Sequence, residues 1–208
     1  MKYALDIVTE CGLTGSRSYD THIEQNHTLA HDEGEFFNNP SHYRCLVGRL
    51  VYLSITRPDL SYAVHLLAQF LIKPWKKHWD AVLRVVRYLK GTLGQGIFLN
   101  SNPKLHVKAY CDSDWSACPI TRRSLTGYVV LLEDSLVAWK TKKQETVSRS
   151  STEAEYCAMH LHTRRYSSFF SFFQCSISNI QNLTPSFVII SLHSTFFGIQ
   201  FFMREQSI

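Results

Sequence analysis

The residues best suited to chemistry in this chain are four carboxylates in two close pairs. Asp112 and Asp114 stand at the end of a stretch, Leu105 to Tyr110, in which apolar and polar residues alternate. That alternation is the period of a strand. Two residues apart, both acids share a face if the strand continues. Glu153 and Glu155 follow Ser150-Ser151-Thr152, a helix start with a hydroxyl N-cap and carboxylates in the first turn. Carboxylate oxygens on rigid elements are the ligands that hard divalent cations require. Asp112 from the strand end and Glu155 from the helix start make the primary candidate pair. Asp114 is a further candidate ligand, with a turn residue as the alternative. Glu153 lies about 200° around a helix from Glu155, so it reads as a capping carboxylate and not as a ligand of the same ion.

Basic residues surround these acids in sequence. Arg122, Arg123, Lys140, Lys142, Lys143 and Arg149 are candidates for phosphate contact, as are Lys76, Lys77, Arg84 and Arg87 further upstream; the alternative is a set of solvated faces. His22, His27 and His31 have metal-like spacing, but no Cys pair or second His pair completes a zinc site. The six Cys include no C-x-x-C pair, so a zinc ribbon or a thioredoxin-like redox motif is not supported. Trp75, Trp79, Trp115 and Trp139 read as core residues before they read as stacking platforms.

Several elements must position these residues. A short helix is predicted over 2–11, stopped by Gly12, and Pro40 is read as a chain break. Leu46, Leu50 and Leu53 recur at helical spacing within a helix over 43–54. Thr56-Arg57-Pro58-Asp59 looks like the start of a second helix running to about Ile72. A third follows from about Trp75 to Lys90, with Trp75, Trp79, Val82, Val86 and Leu89 on one stripe. The period then changes. Strands are predicted from Leu105 to near Asp112, over Leu125–Leu132 and over Leu136–Lys140, the last two joined by a tight turn at Glu133-Asp134-Ser135. A helix follows to about Arg165. Beyond Tyr166 no clean period survives, although Phe187–Leu192 could form a strand.

The 208 residues carry a net charge of +5, an average that hides a partition. Residues 1–42 hold two Lys or Arg against seven Asp or Glu, whereas residues 43–166 hold nineteen against nine. Nine of the 13 Phe fall after residue 166. The chain therefore reads as compositionally distinct blocks, of which the middle one has the charge of a nucleic-acid binder. No signal peptide is visible, so an intracellular chain with reduced thiols is expected. Residues 185–203 have the length of a membrane span and no Asp, Glu, Lys or Arg, but their His193, Gln200, Ser and Thr favour an apolar tail over a span.

The block 108–158 closely resembles the ribonuclease H region of copia-type retrotransposon Pol polyproteins. The matching pieces are Lys-Ala-Tyr-Cys-Asp-Ser-Asp-Trp, Thr-Arg-Arg-Ser-Leu-Thr-Gly-Tyr, Ala-Trp-Lys-Thr-Lys-Lys-Gln and Val-Ser-Arg-Ser-Ser-Thr-Glu-Ala-Glu-Tyr. Upstream, Lys2–Asp6, Tyr43–Leu53, Thr56-Arg57-Pro58-Asp59 and Arg87-Tyr88-Leu89-Lys90-Gly91-Thr92 resemble the stretch joining reverse transcriptase to ribonuclease H in the same family. The resemblance covers about residues 1–166 and implies four parts. These are an acidic N-terminal segment (1–42) at the end of the reverse transcriptase region, a helical connection region (43–103), a partial ribonuclease H-like domain (104–166), and a tail (167–208) outside the resemblance. The Tyr-x-Asp-Asp motif of the polymerase does not occur, so no polymerase activity is expected.

By that resemblance the fold is α/β, a helical connection region followed by an incomplete ribonuclease H-like unit of three antiparallel strands and its first helix, without the parallel strands. The family cuts the RNA of an RNA–DNA hybrid with two Mg²⁺ ions, one activating water and one stabilising the leaving oxygen. Asp112 and Glu155 match the first and second of its metal-binding acids. Two more are needed, one at the end of the fourth strand and one near the start of a later helix. After Glu155 the only carboxylate is Glu205, and from about Ser167 the sequence reads as replaced, as a frameshift or read-through would produce. Whether the chain is an enzyme is left open by two of four ligands. The leading expectation is a degenerate Pol fragment related to ribonuclease H and without competent catalysis. The alternatives are an active Mg²⁺-dependent hybrid nuclease completed by a partner chain, and a non-catalytic nucleic-acid-binding module. The expected partner is an RNA–DNA hybrid or other nucleic acid, with no small-molecule substrate and no membrane.

Overall fold

A computed structural model of the chain describes residues 2–24, 27, 29, 34–101, 107–118, 120–161, 163 and 189–191. The chain folds as two compact units, divided between Gly96 and Ile97.

The first unit is helical. Helix α1 (Lys2–Glu10) buries Ala4, Ile7 and Val8, one face at i, i+3, i+4. Helix α2 (Pro40–Leu53) begins three residues earlier than its apolar stripe suggests. Pro40, read from sequence as a break, is instead the first helical residue, where its missing N–H costs nothing. The Asn39 side chain caps this end, accepting from the His42 N–H at 3.1 Å. The long helix expected after Arg57 is broken up. A 3₁₀ turn (Pro58–Leu60) leads into α3 (Ser61–Leu67), and a second 3₁₀ turn (Ala68–Phe70) closes it. Helix α4 (Lys76–Gly91) turns Val82, Val85, Val86 and Leu89 into the core, where they meet Tyr43, Leu50, Leu60 and Leu67. Trp75 and Trp79 lie at the margin of this core, only part-buried, stacked on Phe36 and Phe37 with ring centroids 4.1 and 4.6 Å apart.

The second unit is built on a sheet. Strands β1 (Val107–Asp114), β2 (Leu125–Leu132) and β3 (Ser135–Lys143) run antiparallel in sequence order. The turn between β2 and β3 is two residues long, with Glu133 at φ +56°. Both β1 and β3 run longer than their hydropathy alternation; β1 extends through Asp114. The helix expected after Thr152 is present over 151–161 and is called α5. This mixed α/β arrangement is that of the partial ribonuclease H-like fold expected from the sequence. One expectation is corrected. A short parallel strand is present after all, β4 (Ile189–Ser191), pairing Ala109 with Ile189 and Cys111 with Ser191. The sheet order is β3-β2-β1-β4. The Ile-Ile pair suits a strand and covers three residues of an edge of β1 that would otherwise be open to mispairing. Of the predicted tail strand 187–192, residues 187, 188 and 192 lie outside the described residues, as does the rest of 185–203. No helix of the described residues is long and apolar enough to cross a membrane.

Candidate functional site

Because β1 continues through Asp114, strand alternation puts Asp112 and Asp114 on one face and Cys111 and Ser113 on the other. The start of α5 is fastened over the Ser113 face by Gln144, which is 3% exposed. Its amide nitrogen donates to Ser113 Oγ (3.2 Å), Thr126 Oγ1 (3.0 Å) and the Ala154 carbonyl (2.8 Å). Its amide oxygen accepts from Ser148 Oγ (2.9 Å). One side chain thus ties β1, β2 and α5 together, next to the end of β3. Glu155 follows Ala154 directly. Both Asp112 and Glu155 act on the Cys111 thiol: burial first, then these two carboxylates, push it up to about 11. Burial also raises the carboxyl of half-buried Asp114 above its ordinary value.

Two acids therefore reach the end of β1, from the strand and from α5. Among the described residues, however, no three His, Cys, Asp or Glu side chains converge as a metal site. Strand β4 occupies a place beside β1 but consists of Ile189, Ile190 and Ser191 and brings no acid. Asp112, Asp114 and Glu155 as placed do not fit a two-Mg²⁺ cage. Glu153 takes the capping role expected of it. It accepts from the Arg149 N–H at 2.7 Å, while its own N–H donates to Ser150 Oγ at 3.1 Å.

The basic candidates separate into two groups. Arg122 and Arg123 are exposed on the loop between β1 and β2, Lys140 and Lys142 are exposed on β3, and Arg149 is exposed ahead of α5. Lys142 pairs with Glu145 at the surface. Lys143 instead donates to the thiol of Cys118 at 3.0 Å. Burial raises that thiol, but hydrogen bonds from Lys143, from the Thr121 hydroxyl and from the N–H groups of Thr121 and Ile120 outweigh it and hold it at about 7. In the helical unit the basic face of α4 is already occupied. Arg84 donates to Glu24 (2.8 Å) and Thr21 (2.9 Å) with its guanidinium 4.6 Å from the Tyr19 ring centroid. Arg87 donates to Tyr19 Oη, Lys90 to the Ser16 carbonyl, and Lys76 lies 3.9 Å from Glu35. Residues of the N-terminal block thus partner the basic side chains of α4, with Glu24 and Glu35 as the acids among them.

The histidines form no metal site among the described residues. Burial lowers the pKa of His22, which packs edge-on against the Tyr62 and Tyr88 rings; His31 lies outside the described residues. Three residues escaped sequence reasoning: Gln144, Cys118 and Trp115. The last, read as core, is 47% exposed. Nothing in a hydropathy pattern marks a buried Gln as a clamp or a Trp as outward-facing.

No family model matches the chain, and no solved structure matches it. Curated proteins do. The chain is 41% identical over 160 residues to the uncharacterized mitochondrial protein AtMg00810 of Arabidopsis thaliana, which covers 77% of this chain and 66% of that one. It is 49% identical over 82 residues to the uncharacterized mitochondrial protein AtMg00240 of the same plant, covering 39% and 74%. It is 41% identical over 155 residues to the retrovirus-related Pol polyprotein from transposon RE2, also of Arabidopsis thaliana. The chain belongs to the copia-type retrotransposon Pol family. That last match covers 74% of this Pol chain but 11% of the polyprotein, so the chain corresponds to about a tenth of such a relative's length.

Proposed function

We propose that this Pol chain carries a ribonuclease H-related unit that binds nucleic acid and does not cut it. The observation that carries the reading is the ligand deficit at the end of β1. Asp112 and Glu155 are the two candidate ligands, no group of three His, Cys, Asp or Glu side chains converges as a metal site among the described residues, and the fourth strand is Ile-Ile-Ser. Two Mg²⁺ ions brought close together need several carboxylates to offset their charge, and two do not suffice. An RNA–DNA hybrid is the ligand class that the family resemblance implies. Exposed Arg122, Arg123, Lys140 and Arg149 supply the positive surface that phosphates require.

Hybrid binding by the full chain, followed across a salt series, tests the reading. Affinity should fall linearly on a log–log plot against salt, by several counterions, and should not require added Mg²⁺. Absence of binding even at low salt would remove the proposed function, and binding that requires Mg²⁺ would point to a metal site that the acids at β1 do not provide.

A further inference from the structure

The end of the sheet where β1 stops and β2 starts is a braced loop cluster, and one of its exposed large side chains is an aromatic that is held still. Trp115 is 47% exposed, yet its indole N–H donates to the Ser148 carbonyl at 2.9 Å. Ser148 is itself fixed by its hydroxyl to Gln144. The rest of the loop is tied as firmly. The Ser116 N–H reaches Ser124 Oγ at 3.2 Å, the Arg122 N–H reaches the Cys118 carbonyl at 2.7 Å, and the Cys118 N–H reaches the Arg123 carbonyl at 3.2 Å. An indole with one edge pinned and its ring open to solvent has already lost the freedom that binding would otherwise remove.

The charges around the ring define what it fits. Arg122 and Arg123 are exposed on the same loop, and Arg149 is exposed one residue beyond the carbonyl that anchors the indole. Of the nearby acids, Glu145 pairs with Lys142, Glu153 accepts from the Arg149 backbone, and Asp114 is half-buried. An open aromatic ring among arginines suits stacked bases and their phosphates. In a duplex both faces of each base are covered by its neighbours, so a ring such as Trp115 can stack only on an unpaired or terminal base.

We infer that this loop end binds a single-stranded stretch of nucleic acid, with Trp115 stacked on an unpaired base and Arg122, Arg123 and Arg149 on the flanking phosphates. The inference rests on the nucleic-acid-binding reading above and adds to it a strand class and a contact. The test uses the full chain, with fluorescence anisotropy of labelled nucleic acids, oligo-dT and oligo-U of about 12 residues and a much longer RNA–DNA hybrid duplex whose terminal bases are few, all at one low salt concentration. Trp115→Ala should weaken single-strand binding about tenfold or more and leave hybrid binding within about twofold. Trp115→Phe, which keeps a ring but not the N–H, should retain most of the single-strand affinity. Thermal melts of both variants check that the fold survives. Unchanged single-strand affinity in Trp115→Ala overturns the inference, as does an equal loss on both ligands, which would mark Trp115 as structural. Wild-type binding to the hybrid but not to the single strands defeats this inference alone. Binding to neither defeats the proposed function as well.

Discussion

At the residue scale, the acids at the end of β1 divide by environment. Asp114 is half-buried and burial raises its carboxyl pKa, so ionising it in the folded state is less favourable than in the unfolded chain. The sign follows directly. A carboxyl raised on folding contributes its stability below the unfolded value and loses it as pH rises through the folded one. At neutral pH Asp114 therefore works against the fold, and Asp114→Asn should raise the urea midpoint at pH 7 while leaving it nearly unchanged near pH 3. A lower midpoint at pH 7 would mean that Asp114 meets a compensating cation. The shared face of Asp112 and Asp114 was legible in the sequence once the strand was extended, because alternation is a local rule. The outward Trp115 was not, because it depends on an indole hydrogen bond to Ser148, 33 residues away.

At the element scale, two buried polar networks hold the parts in register. In the helical unit, Arg57 forms a two-pronged pair with Asp59 at 2.9 and 2.7 Å, with side-chain exposures of 3% and 0%. Arg57 also donates to the carbonyl and hydroxyl oxygens of Thr92, and the Tyr88 hydroxyl donates to Asp59 at 3.0 Å. This explains why two motifs about 30 residues apart, Thr56–Asp59 and Arg87–Thr92, belong together: Tyr88 and Thr92 supply polar partners for the buried Arg57–Asp59 pair. Asp59→Ala strands a buried guanidinium and should cost about 3–5 kcal/mol, read from chemical denaturation. A loss under about 1 kcal/mol would mean that water enters the site. In the sheet unit, Gln144→Ala removes four hydrogen bonds and leaves buried Thr126 and Ser148 without that partner. The expected cost is about 3 kcal/mol, and it should fall on α5, seen as faster amide exchange at 154–158 than in β2. Uniform acceleration would instead mean that α5 and the sheet open together. Strand β2 was read from its sequence to the residue, since an apolar run bounded by a turn has one natural register. The interrupted helix after Arg57 was not, because Pro58 and the Arg57–Asp59 pair shape that turn more than apolar spacing does.

At the scale of the whole molecule, the net charge of +5 averages an acidic N-terminal block with the basic block that follows it. Three acids of the N-terminal block are paired within the helical unit, Glu10 with Arg49, Glu24 with Arg84 and Glu35 with Lys76. Arg84→Gln should therefore change hybrid affinity by less than about twofold, whereas Arg122→Gln with Arg123→Gln should reduce the salt slope by about two. The reverse ranking would place the interface on α4. The α/β class and the order of helices before strands were readable from the change in hydropathy period. The parallel strand β4 was only half readable, since Phe187–Leu192 carries strand composition but nothing local states which neighbour it pairs with. What that strand brings to β1 is a backbone partner and no carboxylate, and on this the functional reading turns. The most direct measurement is strand scission: the full chain incubated with an end-labelled RNA–DNA hybrid in millimolar Mg²⁺, and in parallel Mn²⁺, at a protein concentration that saturates binding. The expected result is bound, intact RNA in both metals, the same for wild type and Asp112→Asn. RNA cleavage by the wild type that Asp112→Asn abolishes would contradict it.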